Sequence, residues 1–246
     1  MEYGTKTIKI MKETMKLPTE KVKASRKSPK NMIIYGAPKI GKTSVLAELD
    51  DCLIIDLEDG SDMVDALKVK VNNLKELAEV GRSIIKQGKP YKYIAIDTIS
   101  KLEEWCESEA KQIYMKSPMG KNFETKNPGM SILSLPNGGG YLYLRMAYKK
   151  WIERLNLLAD RIILVGHLKD KMLEKKGKEV AVKDLDLTGK IKQITCANSD
   201  AVGYIYREND ETMISFDSLD DVTAGSRCEH LKGATMPLSW DKIFID

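Results

Sequence analysis

The octapeptide Gly36-Ala37-Pro38-Lys39-Ile40-Gly41-Lys42-Thr43 has the form G-x-x-x-x-G-K-T and directly follows the apolar run Met32-Ile33-Ile34-Tyr35. No other stretch of the chain restricts its fold so much. The glycines let the backbone curl so that successive N–H groups face one concavity, and a helix opening behind it adds its positive dipole end. The pattern needs a strand before it and a helix after it. Both are supplied, the second by Ser44-Val45-Leu46-Ala47-Glu48-Leu49. Residues 36–44 are therefore expected to wrap phosphates, with Lys42 reaching the β/γ-phosphates and the Thr43 hydroxyl on Mg²⁺. The chain is predicted to bind a nucleoside triphosphate.

Strands alternating with helices predict an α/β domain with a mostly parallel sheet. Short continuous apolar runs at 52–56, 93–97 and 162–165 read as further buried strands. Asn73 with Glu76 resembles a capping box opening a helix through Gly88, and stripes at Leu102–Ile113 and Leu144–Leu158 predict two more helices. Residues 116–140 hold three prolines and the run Gly138-Gly139-Gly140, and read as a mobile loop. Val202–Tyr206 and Thr212–Phe216 read as a late hairpin. One domain over 31–246 is expected, preceded by an arm over 1–30 that carries nine basic and three acidic side chains. That arm suits a solvated tail or a nucleic-acid contact equally well.

The four cysteines are scattered without a C-x-x-C pair and the two histidines are far apart, which argues for reduced cytoplasmic thiols and against a zinc site. No membrane span or signal core is expected.

Polar residues end the core strands, where an open α/β sheet places its ligands. Asp97 after Ile94-Ala95-Ile96 has the Walker B pattern and is the expected Mg²⁺ partner of Thr43. Glu58, in Asp56-Leu57-Glu58-Asp59-Gly60, is the candidate base for the attacking water. His167 is placed to sense the γ-phosphate, or else makes a core hydrogen bond. Lys42, Glu58 and His167 form the candidate catalytic set.

These segments fall in the order and spacing of the RecA-like ATPases, which the chain resembles from about residue 31 onward. More narrowly it is similar to the phage-encoded single-domain RecA-like ATP-binding proteins implicated in single-strand DNA annealing and recombination. Supporting segments are Gly139-Gly140-Tyr141, Val165–Lys171, Asp186–Lys190, Ser199–Tyr204 and Ala224–Arg227. The resemblance implies ATP and Mg²⁺ as cofactors, single-stranded DNA and further copies of the chain as partners, and possible contacts with other recombination or replication proteins. Glu58 takes the place of the family's catalytic glutamate, and His167 that of a glutamine coupling ATP to DNA. Asp97-Thr98 in place of Asp-Glu sets the chain apart from the AAA+ class. No N-terminal polymerisation strand or separate C-terminal domain is evident, so a RecA-type filament is not expected.

The 168–192 connection resembles the family's second DNA-binding loop, and its tip, Lys175-Lys176-Gly177-Lys178, makes Lys171, Lys175, Lys176 and Lys178 the DNA-binding candidates. A solvated charged hairpin is the plain alternative. Tyr114, Tyr141 and Tyr143 suit base stacking or helix packing. RecA-like sites are commonly completed by a neighbour's cation, for which Lys190, Lys192 and Arg227 are candidates, and Lys39 is an unusual P-loop cation. Two functional alternatives stay open: a nucleotide-gated interaction protein with slow turnover, and a helicase-like motor subunit. Adenine or guanine preference is also open, since no N-K-x-D motif is present.

Overall fold

The computed structural model describes residues 17–175, 178–218 and 222–246. Its strands are β1 (Asn31–Gly36), β2 (Cys52–Asp56), β3 (Lys68–Lys70), β4 (Tyr93–Asp97), β5 (Arg161–Lys175), β6 (Lys178–Leu185), β7 (Ala201–Glu208), β8 (Glu211–Ser215), β9 (Gly225–Ser226) and β10 (Thr235–Pro237). The helices are α1 (Lys42–Ala47), α2 (Leu74–Lys86), α3 (Ile99–Met115), α4 (Phe123–Lys126), α5 (Gly139–Leu155), α6 (Gly189–Asn198) and α7 (Trp240–Ile243). The main sheet runs β10-β8-β7-β1-β5-β4-β2-β3. From β7 across to β3 every pairing is parallel, and β8, β9 and β10 add antiparallel partners at the β7 end.

Alternation along the strands feeds two apolar layers, as a pleated sheet buried on both faces requires. Ile33, Tyr35, Leu53, Ile55, Ile94, Ile96, Ile162 and Leu164 pack towards α2, α3 and α5. Their neighbours Met32, Ile34, Cys52, Ile54, Ala95, Ile163 and Val165 pack on the other side with Leu46 of α1 and Trp240 of α7. The P-loop strand β1 lies between β5 and β7, so Val202–Tyr206 belongs to a parallel pairing as well as to the expected hairpin with β8.

Two local expectations need correction, and one helix was not expected. Residues 116–140 fold as α4 and two short 3₁₀ turns with Phe123 and Ile132 buried. Gly140 is there because a Cβ would lie 2.0 Å from the carbonyl oxygen of Ile132. The α2 cap is also not a full capping box: Asn73 accepts from the amides of Lys75 and Glu76, but Glu76 reaches back to the Asn72 amide, one residue earlier. Helix α6 was not foreseen, because its sequence GKIKQITCAN carries too few apolar residues for a stripe. Among the described residues no helix is long and apolar enough to cross a membrane.

Candidate functional site

Register alone gathers the predicted groups at one end of the sheet. Gly36 pairs with His167 across β1 and β5, and Asp56 with Asp97 across β2 and β4. Gly36 ends its strand under a tight constraint, since a Cβ there would lie 2.4 Å from the Ile205 carbonyl oxygen. The loop then turns through left-handed backbone at Lys39 (φ 62°) and Gly41 (φ 99°) into α1. Lys42 is 7 % exposed, and its ammonium donates to the carbonyls of Gly36 (3.1 Å) and Ala37 (2.8 Å). Burial holds its pKa below the ordinary lysine value, against the pull of Asp97 and Glu58.

The Thr43 hydroxyl donates to Asp97 Oδ2 at 2.7 Å. Asp97 is buried and its pKa is raised, first by desolvation, with the Thr43 hydrogen bond opposing. A hydroxyl and a desolvated carboxylate are hard oxygen donors, and Mg²⁺ is typically held by one or two such groups together with phosphate oxygens. The residues present therefore fit that cation. A divalent ion at this pair would also offset the burial of the Asp97 charge.

Glu58 stands opposite. Its Oε1 accepts from the Thr98 hydroxyl at 2.7 Å and its Oε2 lies 2.8 Å from His167 Nε2. Hydrogen bonding to His167 is the largest influence drawing the Glu58 pKa down, and the same bond is the largest one raising that of His167. His167 Nδ1 is buried and has no hydrogen-bond partner among the described residues. The turn that carries Glu58 is built by Asp56, whose carboxylate accepts the amides of Glu58, Asp59 and Ser61. Asp56 thus shapes the acidic turn. Thr98 was missed as a partner of Glu58; its place directly after Asp97 on the next strand was the available signal.

Beyond His167, β5 continues into an antiparallel hairpin with β6, in which Leu168 pairs with Leu185 and Lys175 with Lys178. Lys171, Lys175 and Lys178 lie on these strands, whereas Lys176 lies outside the described residues, as do residues 1–16 of the basic arm. The hairpin's base is tied to α3. The Ser100 hydroxyl donates to the Asp186 carbonyl, the Asp186 amide to the His167 carbonyl, and the Thr188 amide to the buried Glu103 carboxylate. Ser100 and Glu103 left no trace in the sequence reading.

The remaining candidates separate. Lys190 is exposed and lines a hollow of about 270 Å³ with Tyr141, Arg145, Thr188 and Ile191. Tyr141 is thereby set apart from Tyr114 and Tyr143, whose rings pack edge-on at 5.1 Å. Arg145 went unnoticed, although it follows Tyr141 at helical i,i+4 spacing. The Lys192 ammonium is engaged by Asp184 of its own chain. Arg227 bonds to the Ala197 carbonyl and lies 3.9 Å from Asp200, at the sheet end remote from the P-loop.

A family model described as an AAA domain (AAA_24) matches residues 28–228. No curated protein matches the chain. Among solved structures, a crystal structure of the RadB recombinase aligns at a TM-score of 0.41 and 11 % identity, over 85 % of this chain and 86 % of that one. A likeness that distant carries no argument about function.

Proposed function

The chain belongs to the AAA_24 family of AAA domains, and from that premise we propose a Mg²⁺-dependent ATPase of the RecA-like class that acts with single-stranded DNA in recombination, repair or replication. We read it as one of the phage-encoded single-domain kind, with the ATPase domain over 31–246 and the basic arm over 1–30. The observation that carries this reading is the convergence of Lys42, Thr43, Asp97, Glu58 and His167 from four adjacent parallel strand ends.

In this reading Lys42 and the backbone N–H groups of residues 36–44 other than Pro38 neutralise phosphate charge, and Thr43 and Asp97 would hold Mg²⁺, which supplies charge stabilisation at the phosphates when bound. Glu58 turns from His167 to orient and deprotonate water. His167 then reports the change along β5 to the hairpin. Lys171, Lys175, Lys176 and Lys178 grip backbone phosphates, and the hollow of Tyr141, Arg145 and Lys190 offers a ring and two cations to a base and its phosphate. Lys190 and Arg227 keep their candidacy as cations for a neighbour's site. Lys192, held by Asp184, must first leave that pair to serve so.

A second reading, a nucleotide-gated interaction protein with slow turnover, draws support from the double engagement of Glu58 by Thr98 and His167. ATP hydrolysis measured with and without single-stranded DNA separates the two, with Lys42→Ala as the blank. Stimulation that both Lys42→Ala and Glu58→Gln abolish supports the DNA-coupled ATPase. Tight ATP binding with no DNA effect sinks it and favours the gated protein.

A further inference from the structure

Two surface features outside the nucleotide cleft, one beside it and one at the far end of the sheet, complement each other. The first is a knob at Met63, which is 96 % exposed. Single exposed apolar residues are ordinary, but this one is presented on a stapled turn. Asp56 accepts the amide of Ser61, the Val64 amide donates to the Ser61 carbonyl, and the Lys68 ammonium donates to the carbonyls of Ser61 (2.6 Å) and Val64 (2.8 Å). The exposed carboxylates of Asp62 and Asp65 flank it; Lys70 of the same chain pairs with Asp62, so Asp65 is the acid left to face a partner. A tip held this firmly has little conformational freedom left to lose on binding.

The second feature is a groove of about 240 Å³ between the C-terminal halves of α2 and α5. Gly81, Ile85, Trp151 and Leu158 line it, together with the cations Arg82 and Arg154. Ile85 and the neighbouring Leu157 are 54 % and 62 % exposed. The knob follows the C-terminal end of β2, whereas α2 and α5 run into the N-terminal ends of β4 and β5. Since β2, β4 and β5 are parallel, knob and groove lie at opposite ends of the sheet. A contact between them joins two molecules head to tail and leaves a free knob and a free groove for the next.

We infer that this groove receives the Met63 turn of a second copy of the chain, with Asp65 set against Arg82 and Arg154. Acidic apolar tip meets basic apolar groove, and methionine adapts its three rotatable bonds to the slot. The turn begins at Glu58, so the docked neighbour stands next to the nucleotide cleft. The docking itself does not depend on the DNA-coupled reading proposed above.

Cross-linking tests it in the full chain with Cys196→Ser, which leaves only the buried Cys52, Cys106 and Cys228. Met63→Cys chains mixed with Ile85→Cys chains should give a disulfide dimer on oxidation that neither population gives alone. In sedimentation, Arg154→Asp and Asp65→Arg should each weaken self-association about tenfold or more, and mixing the two variants should restore a dimer. A wild-type chain that stays monomeric, a cross-link formed equally by Met63→Cys alone, or self-association untouched by both charge reversals overturns the inference. Loss of DNA-stimulated turnover with the cross-link intact would count against the ATPase reading alone.

Discussion

His167 Nε2 lies 2.8 Å from Glu58 Oε2, which joins the strand leading into the lysine hairpin to the acidic turn after β2. Both side chains are about 30 % exposed, at 28 % and 31 %. Water can reach the pair, yet enough of it is excluded for the bond to shift both titrations. Each partner keeps the other charged over a wider pH range than either would alone.

The sign of the pH dependence follows. Glu58 is drawn below its ordinary 4.5, so its contribution is present above that pH and fades as pH falls through the lowered value. His167 is raised above its ordinary 6.5, so its contribution is complete below 6.5 and fades as pH rises through the raised value. Glu58→Gln should therefore destabilise the protein most between pH 4.5 and 6.5, by roughly 1–2 kcal/mol. It should also move the His167 midpoint down towards 6.5. With only two histidines in the chain, an NMR titration of the imidazole signals resolves this. An unmoved midpoint would show that the bond does not form in solution.

Lys42→Ala should separate function from stability. Burial disfavours the ammonium, so its charge weakens the fold at neutral pH even while it donates to two loop carbonyls. Its removal loses those bonds and relieves that burial. The thermal midpoint is expected to stay within about 4 °C of wild type, while nucleotide turnover falls about a hundredfold or more. Calorimetry beside a turnover assay checks both. A collapse of the midpoint would make Lys42 chiefly a structural residue.

Thr98 is a positioning residue in this scheme, since its hydroxyl holds one Glu58 oxygen at 2.7 Å. Thr98→Val keeps the shape and removes the donor. Turnover should drop about tenfold, the size of one lost bond to a charged group, with KM unchanged and the acid limb of the pH profile moved upward. Thr98→Ser should restore both. If valine and serine behave alike, the hydroxyl has no part in setting Glu58.

The strands carrying the site were legible because each is a short apolar run ending in a polar residue, as in Ile94-Ala95-Ile96-Asp97. That fixed the four strand ends but not their order, and the pairing of Gly36 with His167 needs the three-dimensional register. Lys192 stood out as a candidate cation for a neighbour's site, but its pairing with Asp184, eight residues earlier across the turn into α6, is a three-dimensional contact. The glycines of 116–140 misled for a physical reason. Glycine marks flexibility and close approach with the same letter, and at Gly120 and Gly140 an added Cβ would lie 2.0 Å from a carbonyl oxygen, of Tyr114 and Ile132 respectively.

Two adjacent glycines test that distinction directly. Gly140 is buried where α5 meets the turn at Ile132–Ser134, and alanine there must push backbone away from backbone. Gly140→Ala should destabilise by roughly 2–3 kcal/mol. Gly139 has helical backbone (φ −55°), and its added Cβ would meet nothing nearer than the Leu135 Cβ at 3.8 Å. Gly139→Ala should instead stabilise by about 0.5–1 kcal/mol, because it restricts the unfolded chain without strain in the folded one. Urea unfolding of the two variants reads the opposite signs side by side. Shifts in the same direction would mean that the packing of α5 against residues 132–134 does not set the role of Gly140.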